Sequence, residues 1–188
     1  MTPIEFKRSW APDALNEWIE FDIAEIEKAP VNNTTKDFLK VGFPRDAAPF
    51  LDFGWGSYAN KFLNIFECYS KINLNITTKN YWILGSDNNG NPICFDISHN
   101  DRIVLLDHEQ RFELIDTINN SIAEFAKCLL LYKNFINKIQ KENGEDAYLD
   151  QNISDASLSD LKSSFKQINA NIFRESGFWR NEISVLGK

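Results

Sequence analysis

Two histidines that lie near aspartates are the residues of this 188-residue chain best suited to proton transfer. His99 is followed two residues later by Asp101, and His108 directly follows Asp107. A carboxylate that orients an imidazole can prepare it as a general base, so either pair could serve a small hydrolase. Neither histidine is accompanied by a serine or cysteine in a nucleophile-elbow motif. We therefore predict two exposed loop histidines and no enzymatic activity.

A second candidate for chemistry is the run of oxygen-bearing side chains at Asp87, Asn89 and Asn91. This alternation matches the first ligands of an EF-hand calcium loop. Such a loop also needs glycine at its sixth position and glutamate at its twelfth, where this chain has Pro92 and Ser98. The glycines form neither a dinucleotide-binding motif nor a P-loop. The sequence therefore predicts no metal and no cofactor.

The charge of the chain indicates which partners it could bind. It has 27 acidic and 20 basic residues and a net charge of −7. Nucleic-acid-binding proteins usually have an excess of lysine and arginine, so direct nucleic-acid binding is not predicted. An acidic surface attracts basic proteins and speeds their association, although mild acidity also simply keeps a protein soluble.

The cysteines and the apolar runs bear on the compartment of the protein. Cys68, Cys94 and Cys128 are isolated among apolar residues, which predicts small core residues rather than a disulfide or zinc framework. The chain begins without an apolar leader, and no run approaches the roughly 20 apolar residues of a membrane span. We expect a cytoplasmic protein with no membrane contact. The sequence leaves its oligomeric state open.

Residues 81–141 contain the clearest structural signals. Two apolar runs flank Asn89-Gly90, whose residues tolerate the positive φ angles of a hairpin turn. Residues 102–107 and 112–115 read as a third and a fourth strand. A long amphipathic helix is predicted to start near Ser121, with Glu124 completing a capping box and Gly144 marking its end.

The remaining elements are predicted from weaker patterns. Residues 47–58 contain Phe50, Phe53, Trp55 and Tyr58 without a regular period, so this irregular segment either packs as core at the sheet edge or exposes a sticky loop. The other predictions are helices at 11–28, 33–40 (capped by Thr34 or Thr35), 158–168 (capped near Ser154, Ser157 or Ser159) and 178–186, and strands at 62–67 and 72–76.

With strands grouped in mid-chain and helices on both sides, the predicted fold class is α+β, with a central mainly antiparallel β-sheet flanked by helices. We predict a single domain over residues 1–188. It consists of a helical N-terminus at 1–45, the sheet at 60–116 and a helical C-terminal part at 119–188.

The order and spacing of several short motifs resemble the SUKH superfamily, the Smi/Knr-like domains of bacterial immunity proteins and fungal cell-wall regulators. The resemblance covers about residues 35–141. Its motifs are Gly42-Phe43-Pro44 after a short helix, the strand Tyr81-Trp82-Ile83-Leu84 with Gly85-Ser86-Asp87, the returning Gly90-Asn91-Pro92-Ile93 with Asp96, Val104-Leu105-Leu106-Asp107, and Asn120-Ser121-Ile122 with Phe125.

This resemblance implies a non-enzymatic protein that binds a cognate polymorphic toxin, often a nuclease and therefore basic, and neutralises it by direct contact. The alternative is a regulatory or scaffold module that binds another protein, as the fungal relatives are thought to do. For partner binding we predict an acidic or aromatic surface patch near Trp55, Asp87, Asp96 and Asp101. A hydrolase that uses His99 or His108 is the third hypothesis.

Overall fold

A computed structural model describes residues 1–14, 16–54 and 61–187 of the chain. Within these residues the strands are β1 (Trp18–Ile19), β2 (Phe43–Pro44), β3 (Asp46–Ala47), β4 (Leu51–Phe53), β5 (Tyr81–Asp87), β6 (Pro92–Asp96), β7 (Arg102–Asp107) and β8 (Glu113–Asn119). The helices are α1 (Pro3–Trp10), α2 (Ile23–Lys28), α3 (Asn33–Val41), α4 (Ile65–Cys68), α5 (Ile122–Asn143), α6 (Asp155–Ile168), α7 (Ile172–Glu175) and α8 (Gly177–Val185).

The architecture is α+β, as predicted, with a six-stranded antiparallel sheet at its centre. Strands β3 to β8 lie side by side in chain order, and β1 pairs with β2 in a separate two-stranded sheet. Because each strand pairs with its neighbour in the sequence, short turns suffice for most connections. No helix in the described ranges is long and apolar enough to cross a bilayer.

The β5–β6 hairpin and β7 form where the sequence predicts them. Gly90 adopts φ 83° in the turn, a conformation that glycine reaches without a steric penalty. Strand β8 extends to Asn119 and is therefore longer than the predicted segment 112–115, because its residues pair with β7 from Asp107 back to Ile103. Bulges interrupt both pairings, between Ile83 and Gly85 in the hairpin and at two places between β7 and β8.

One face of the sheet packs on the helices and forms the main core. Helix α5 lies on it, with nine buried residues that include Phe125 and Leu129. Its N-cap is Ser121, whose hydroxyl accepts from the Glu124 amide at 3.2 Å. The carboxylate of Glu124 does not complete the predicted capping box. It accepts hydrogen bonds from Asn119 and Asn169 instead, and so ties β8 and the end of α6 to α5.

The opposite face of the sheet carries a smaller core of Ile65, Cys94, Val104, Leu106 and Phe112. Helix α4 covers part of this face, where a strand over residues 62–67 was predicted. That prediction is wrong because Asn64 and Glu67 form a capping box that starts a helix. The predicted strand at 72–76 is also absent. Ile72 and Ile76 are more than half exposed, and a 3₁₀ helix begins at Ile76.

The N-terminal helix prediction at residues 11–28 is largely wrong. The chain is helical before this segment, in α1, where Thr2 and Glu5 form a capping box around Pro3. It becomes helical again only at α2, capped by Asp22. Between these helices Trp18 and Ile19 pair with β2, so tertiary pairing overrides their helix-like spacing.

The prediction of a second helix is confirmed, and the segment after that helix is more regular than predicted. Helix α3 confirms the predicted segment 33–40, although its cap is Asn32 rather than Thr34 or Thr35. Residues 46–53 are not irregular but form the short hairpin β3–β4 at the sheet edge. Near the C-terminus, Ser154 caps α6 and α8 matches the predicted last helix to within a residue.

Replacing Gly85 with alanine is expected to destabilise the sheet by about 1–3 kcal/mol. A β-carbon at this position lies 2.1 Å from the carbonyl oxygen of Asp52 on the paired strand β4, so the two backbones must separate. Urea unfolding of Gly85→Ala and of the neighbouring Ser86→Ala measures the effect. Equal unfolding free energies for the two variants would contradict the close approach of β4 and β5.

Candidate functional site

Asp96, one of the predicted partner-binding residues, is fully buried at the end of β6. Its carboxylate accepts from the amide of Ser98 at 3.1 Å and from Arg102 Nε at 3.0 Å, and it lies 2.8 Å from His99 Nδ1. Burial raises the pKa of Asp96, but hydrogen bonds from Ser98, His99 and Arg102 outweigh burial, and the pKa is lowered overall. His99 is therefore paired with Asp96, not with the Asp101 expected from the sequence.

Asp101 is also buried, in the turn between β6 and β7. Its carboxylate accepts a hydrogen bond of 2.6 Å from the backbone amide of Asn32, the residue that caps α3. Burial raises the pKa of Asp101, against the opposing effect of that hydrogen bond. The side chain joins the N-terminal helices to the sheet, which is a structural role.

Asp87 is the last residue of β5, next to the β5–β6 turn, and is partly exposed. Its carboxylate accepts hydrogen bonds of 2.9 Å from the amides of Asn89 and Asn91 and holds the turn closed. Asn91 Oδ1 in turn lies 2.9 Å from Nδ1 of the exposed His108. In the part of the chain that the structure describes, no cluster of three or more His, Cys, Asp or Glu residues could hold a metal ion.

Of the four predicted partner-binding residues, the three that the structure describes do not lie together in one patch. Asp96 pairs with Tyr81 at one end of the β5–β6 hairpin, and Asp87 lies at the other, where the turn is. Asp96 and Asp101 bind their own chain, so a partner would meet the residues around them rather than their carboxylates. Trp55 lies outside the described residues. A role for these residues in partner contact stays a prediction, and of the three described residues Asp87 is the one whose side chain is partly exposed.

A concave surface lies around the turn that joins β3 to β4. It consists of two adjoining grooves that share Pro49, Phe50, Asp87 and Asn88. The first, which we call the α8 groove, has a volume of about 590 Å³ and runs between this turn, the β5–β6 turn and helix α8. The second, the edge groove, has a volume of about 480 Å³ and follows β3 and β4 to Tyr148.

Phe50 stands between the two grooves. Its side chain is 62% exposed, and its backbone adopts φ 52°. The neighbouring aromatic Phe53 is fully buried against Phe43 and Phe125. Within the described part of the aromatic segment, residues 47–54, Phe53 packs as core and Phe50 is exposed, and Trp55 and Tyr58 lie outside the described residues. The sequence signals an aromatic segment, but it does not show which ring points outward.

The walls of the two grooves are predominantly acidic. Six carboxylates and two guanidinium groups line them: Asp46, Asp52, Asp87, Asp116, Glu175 and Glu182, with Arg174 and Arg180. Burial, and then the charge of Asp46, raises the pKa of Asp52. Burial also raises the pKa of Glu182. A positively charged group in these grooves would stabilise the ionised form of both carboxylates.

The fold defines the class of the protein: an α+β domain with helices packed on a central antiparallel sheet. A family model described as SUKH-4 immunity protein matches residues 6–185, so the chain belongs to the SUKH-4 immunity protein family. The match extends well beyond residues 35–141, into α1 at one end and α8 at the other. Comparisons with curated proteins and with solved structures gave no match.

Proposed function

We propose that this protein is an immunity protein that binds a cognate toxin domain directly and keeps it inactive inside the producing cell. The observation that carries this proposal is the family match over residues 6–185. Immunity proteins of this kind are generally non-enzymatic, so a stoichiometric complex is the expected mode of action. The proposed compartment is the cytoplasm, where the toxin would otherwise act on the cell that makes it.

The charge of the chain supports a basic partner. A net charge of −7 raises the encounter rate with a positively charged protein and disfavours approach to nucleic acid. A toxin that attacks nucleic acid needs a basic surface of its own. Binding of this acidic protein could then cover the surface with which such a toxin holds its substrate, without any chemistry by the immunity protein.

The direct test is co-expression with the toxin domain encoded beside the gene for this chain, an arrangement expected for an immunity protein. Cells that produce the toxin domain alone should stop growing, and cells that produce both proteins should grow and yield a complex on size-exclusion chromatography. If growth is not restored and no complex forms, the proposal fails, and a regulatory or scaffold role becomes the better account.

Replacing His99 and His108 together with glutamine should leave the protection unchanged. His99 is mostly exposed and His108 is exposed, so the loss of their contacts with Asp96 and Asn91 is expected to cost about 1 kcal/mol or less. Protection of co-expressing cells and the thermal midpoint of the double variant are the measurements. Loss of protection by a variant that remains folded would support the hydrolase hypothesis instead.

A further inference from the structure

We propose that Phe50, together with the edge groove and the α8 groove on its two sides, forms the surface that binds the toxin, and that its occupant is a basic segment of that toxin. This inference rests on the proposed function and specifies where and by what chemistry the partner is held. Two features of the β3–β4 hairpin carry it, and each costs stability in the free protein.

The first feature is the conformation of Phe50. A left-handed backbone costs a residue with a β-carbon roughly 1–2 kcal/mol. Phe112 also has a positive φ, of 63°, but its ring is buried in the smaller core, so packing compensates for the free-energy cost of its left-handed backbone. Phe50 has a positive φ and a ring that is 62% exposed. Within the folded chain alone, this ring gains little from being aromatic, whereas an exposed aromatic ring is a common anchor of protein interfaces.

The second feature is the pairing of Asp46 with Asp52. These residues lie directly opposite each other on β3 and β4, an arrangement in which two like charges are destabilising. Arg45, the basic residue closest in the chain, forms an ion pair with Glu17 at 3.2 Å, and its charge lowers the pKa of Asp52 by less than burial and Asp46 together raise it. Both carboxylates line the edge groove next to Phe50. A lysine or arginine from a partner would remove the repulsion and could also stack on the Phe50 ring.

The shape and the lining of the grooves agree with an interface of this kind. Apolar side chains of Leu105, Ile115 and Phe178 line the α8 groove, and Asp87 and Glu182 stand among them. An apolar centre bordered by charged groups is the usual composition of a protein–protein contact. A second copy of this chain does not fit as the occupant, because the same acidic groups would then face each other.

The variant Phe50→Asn tests the role of the anchor. Asparagine tolerates a left-handed backbone, so the variant should fold with a thermal midpoint no lower than that of the wild type. Its dissociation constant for the toxin domain encoded beside this gene should rise about 30-fold or more, as for the loss of an interface hot spot. Ile76→Asn is the matched control, because Ile76 is 60% exposed and lines neither groove.

The double variant Asp46→Asn and Asp52→Asn tests the charge of the occupant. Removing the like-charge pair should raise the thermal midpoint while it lowers the association rate and weakens the salt dependence of binding. A basic occupant predicts both changes together. An association rate that remains at the wild-type value at low salt would overturn the assignment of a basic segment.

The outcomes separate the two proposals. If the wild-type protein binds the toxin domain and Phe50→Asn binds it equally well, the proposed surface is wrong and the proposed function stands. If the wild-type protein does not bind the toxin domain at all, the proposed function fails and the surface assignment fails with it. Weak binding by Phe50→Asn together with unchanged binding by Ile76→Asn is the expected result.

Discussion

Replacing Trp179 with alanine should lower the free energy of unfolding by about 3–5 kcal/mol. The indole of this α8 residue is fully buried, and its ring lies 5.0 Å from that of Phe165 on α6 and 5.9 Å from that of Tyr132 on α5. Its removal leaves a large cavity between three helices. Since a domain of this kind is stable by roughly 5–15 kcal/mol, the variant should be close to unfolding at 37 °C.

Trp179→Phe is the matched control. It keeps a ring in the cavity and removes the hydrogen bond of 2.9 Å from Trp179 Nε1 to Asn119 Oδ1. Because this leaves a buried acceptor unsatisfied, about 1–3 kcal/mol should be lost. Urea unfolding should give one transition that shifts in both variants. If Trp179→Ala leaves the main transition in place, α8 is a separate unit and the prediction of a single domain over residues 1–188 is wrong.

Replacing Asp96 with alanine should cost about 3 kcal/mol, the lower end of the range for breaking a buried ion pair, because Arg102 remains partly exposed to water. The carboxylate itself is fully buried and organises both the 3₁₀ turn Ile97–His99 and the start of β7. Its loss removes an acceptor from Ser98, His99 and Arg102 at once. Chemical unfolding at pH 7 measures the change, and a loss below about 1 kcal/mol would contradict this account of the cluster.

The contribution of Asp96 should also depend on pH. Because its folded-state pKa is lowered, the carboxylate stabilises the fold above its unfolded-state pKa of about 3.9, and this stabilisation is lost as the pH falls through the folded-state pKa. The difference in thermal midpoint between the wild type and Asp96→Asn should therefore be largest near pH 7 and shrink below about pH 4.

Asp101→Asn is the control with the opposite sign. Burial raises the pKa of Asp101, so the wild type gains from protonation of this group as the pH falls, and the variant cannot. The unfolding free energy of Asp101→Asn, measured relative to that of the wild type, should therefore be lower at low pH than at neutral pH. If the stability difference from the wild type changes with pH in the same direction for both variants, the environments of Asp96 and Asp101 are not as different as the structure indicates.

The elements that local residue chemistry determines were predictable. Asn89-Gly90 marked the hairpin turn, and residues 102–107 form β7 over the predicted range. Ser121 and Gly144 mark the ends of α5. In each case the residue that begins or ends the element acts through its own backbone conformation or a hydrogen bond to a neighbour in the sequence, so no distant part of the chain was needed.

The failed predictions have two different physical causes. Around α1 and α4 the sequence contains the capping boxes Thr2–Glu5 and Asn64–Glu67, which start these helices, while the apolar spacing nearby favours other elements. Strand β1 had no local signal, because Trp18 and Ile19 become extended only through their pairing with β2, more than 20 residues later. A local signal therefore exists for α1 and α4, and none exists for β1.

The candidate site was harder to predict than the fold. Asp96 and Asp101 look like surface carboxylates in the sequence, and they are buried only because Arg102 and the Asn32 amide reach them in the folded chain. The repulsion between Asp46 and Asp52 depends on the register of β3 and β4. Phe50 is 62% exposed and adopts a left-handed backbone in the turn between β3 and β4. None of these facts follows from the residue types alone.

The most direct test of the central claim is a titration of residual toxin activity with the purified wild-type protein. Direct neutralisation predicts that activity falls linearly and reaches zero at one equivalent of a tight complex, and that it returns when the complex is dissociated. A decline that continues with time at a small fraction of an equivalent would indicate a catalytic modification of the toxin. That result, or full activity at excess protein, would contradict the account.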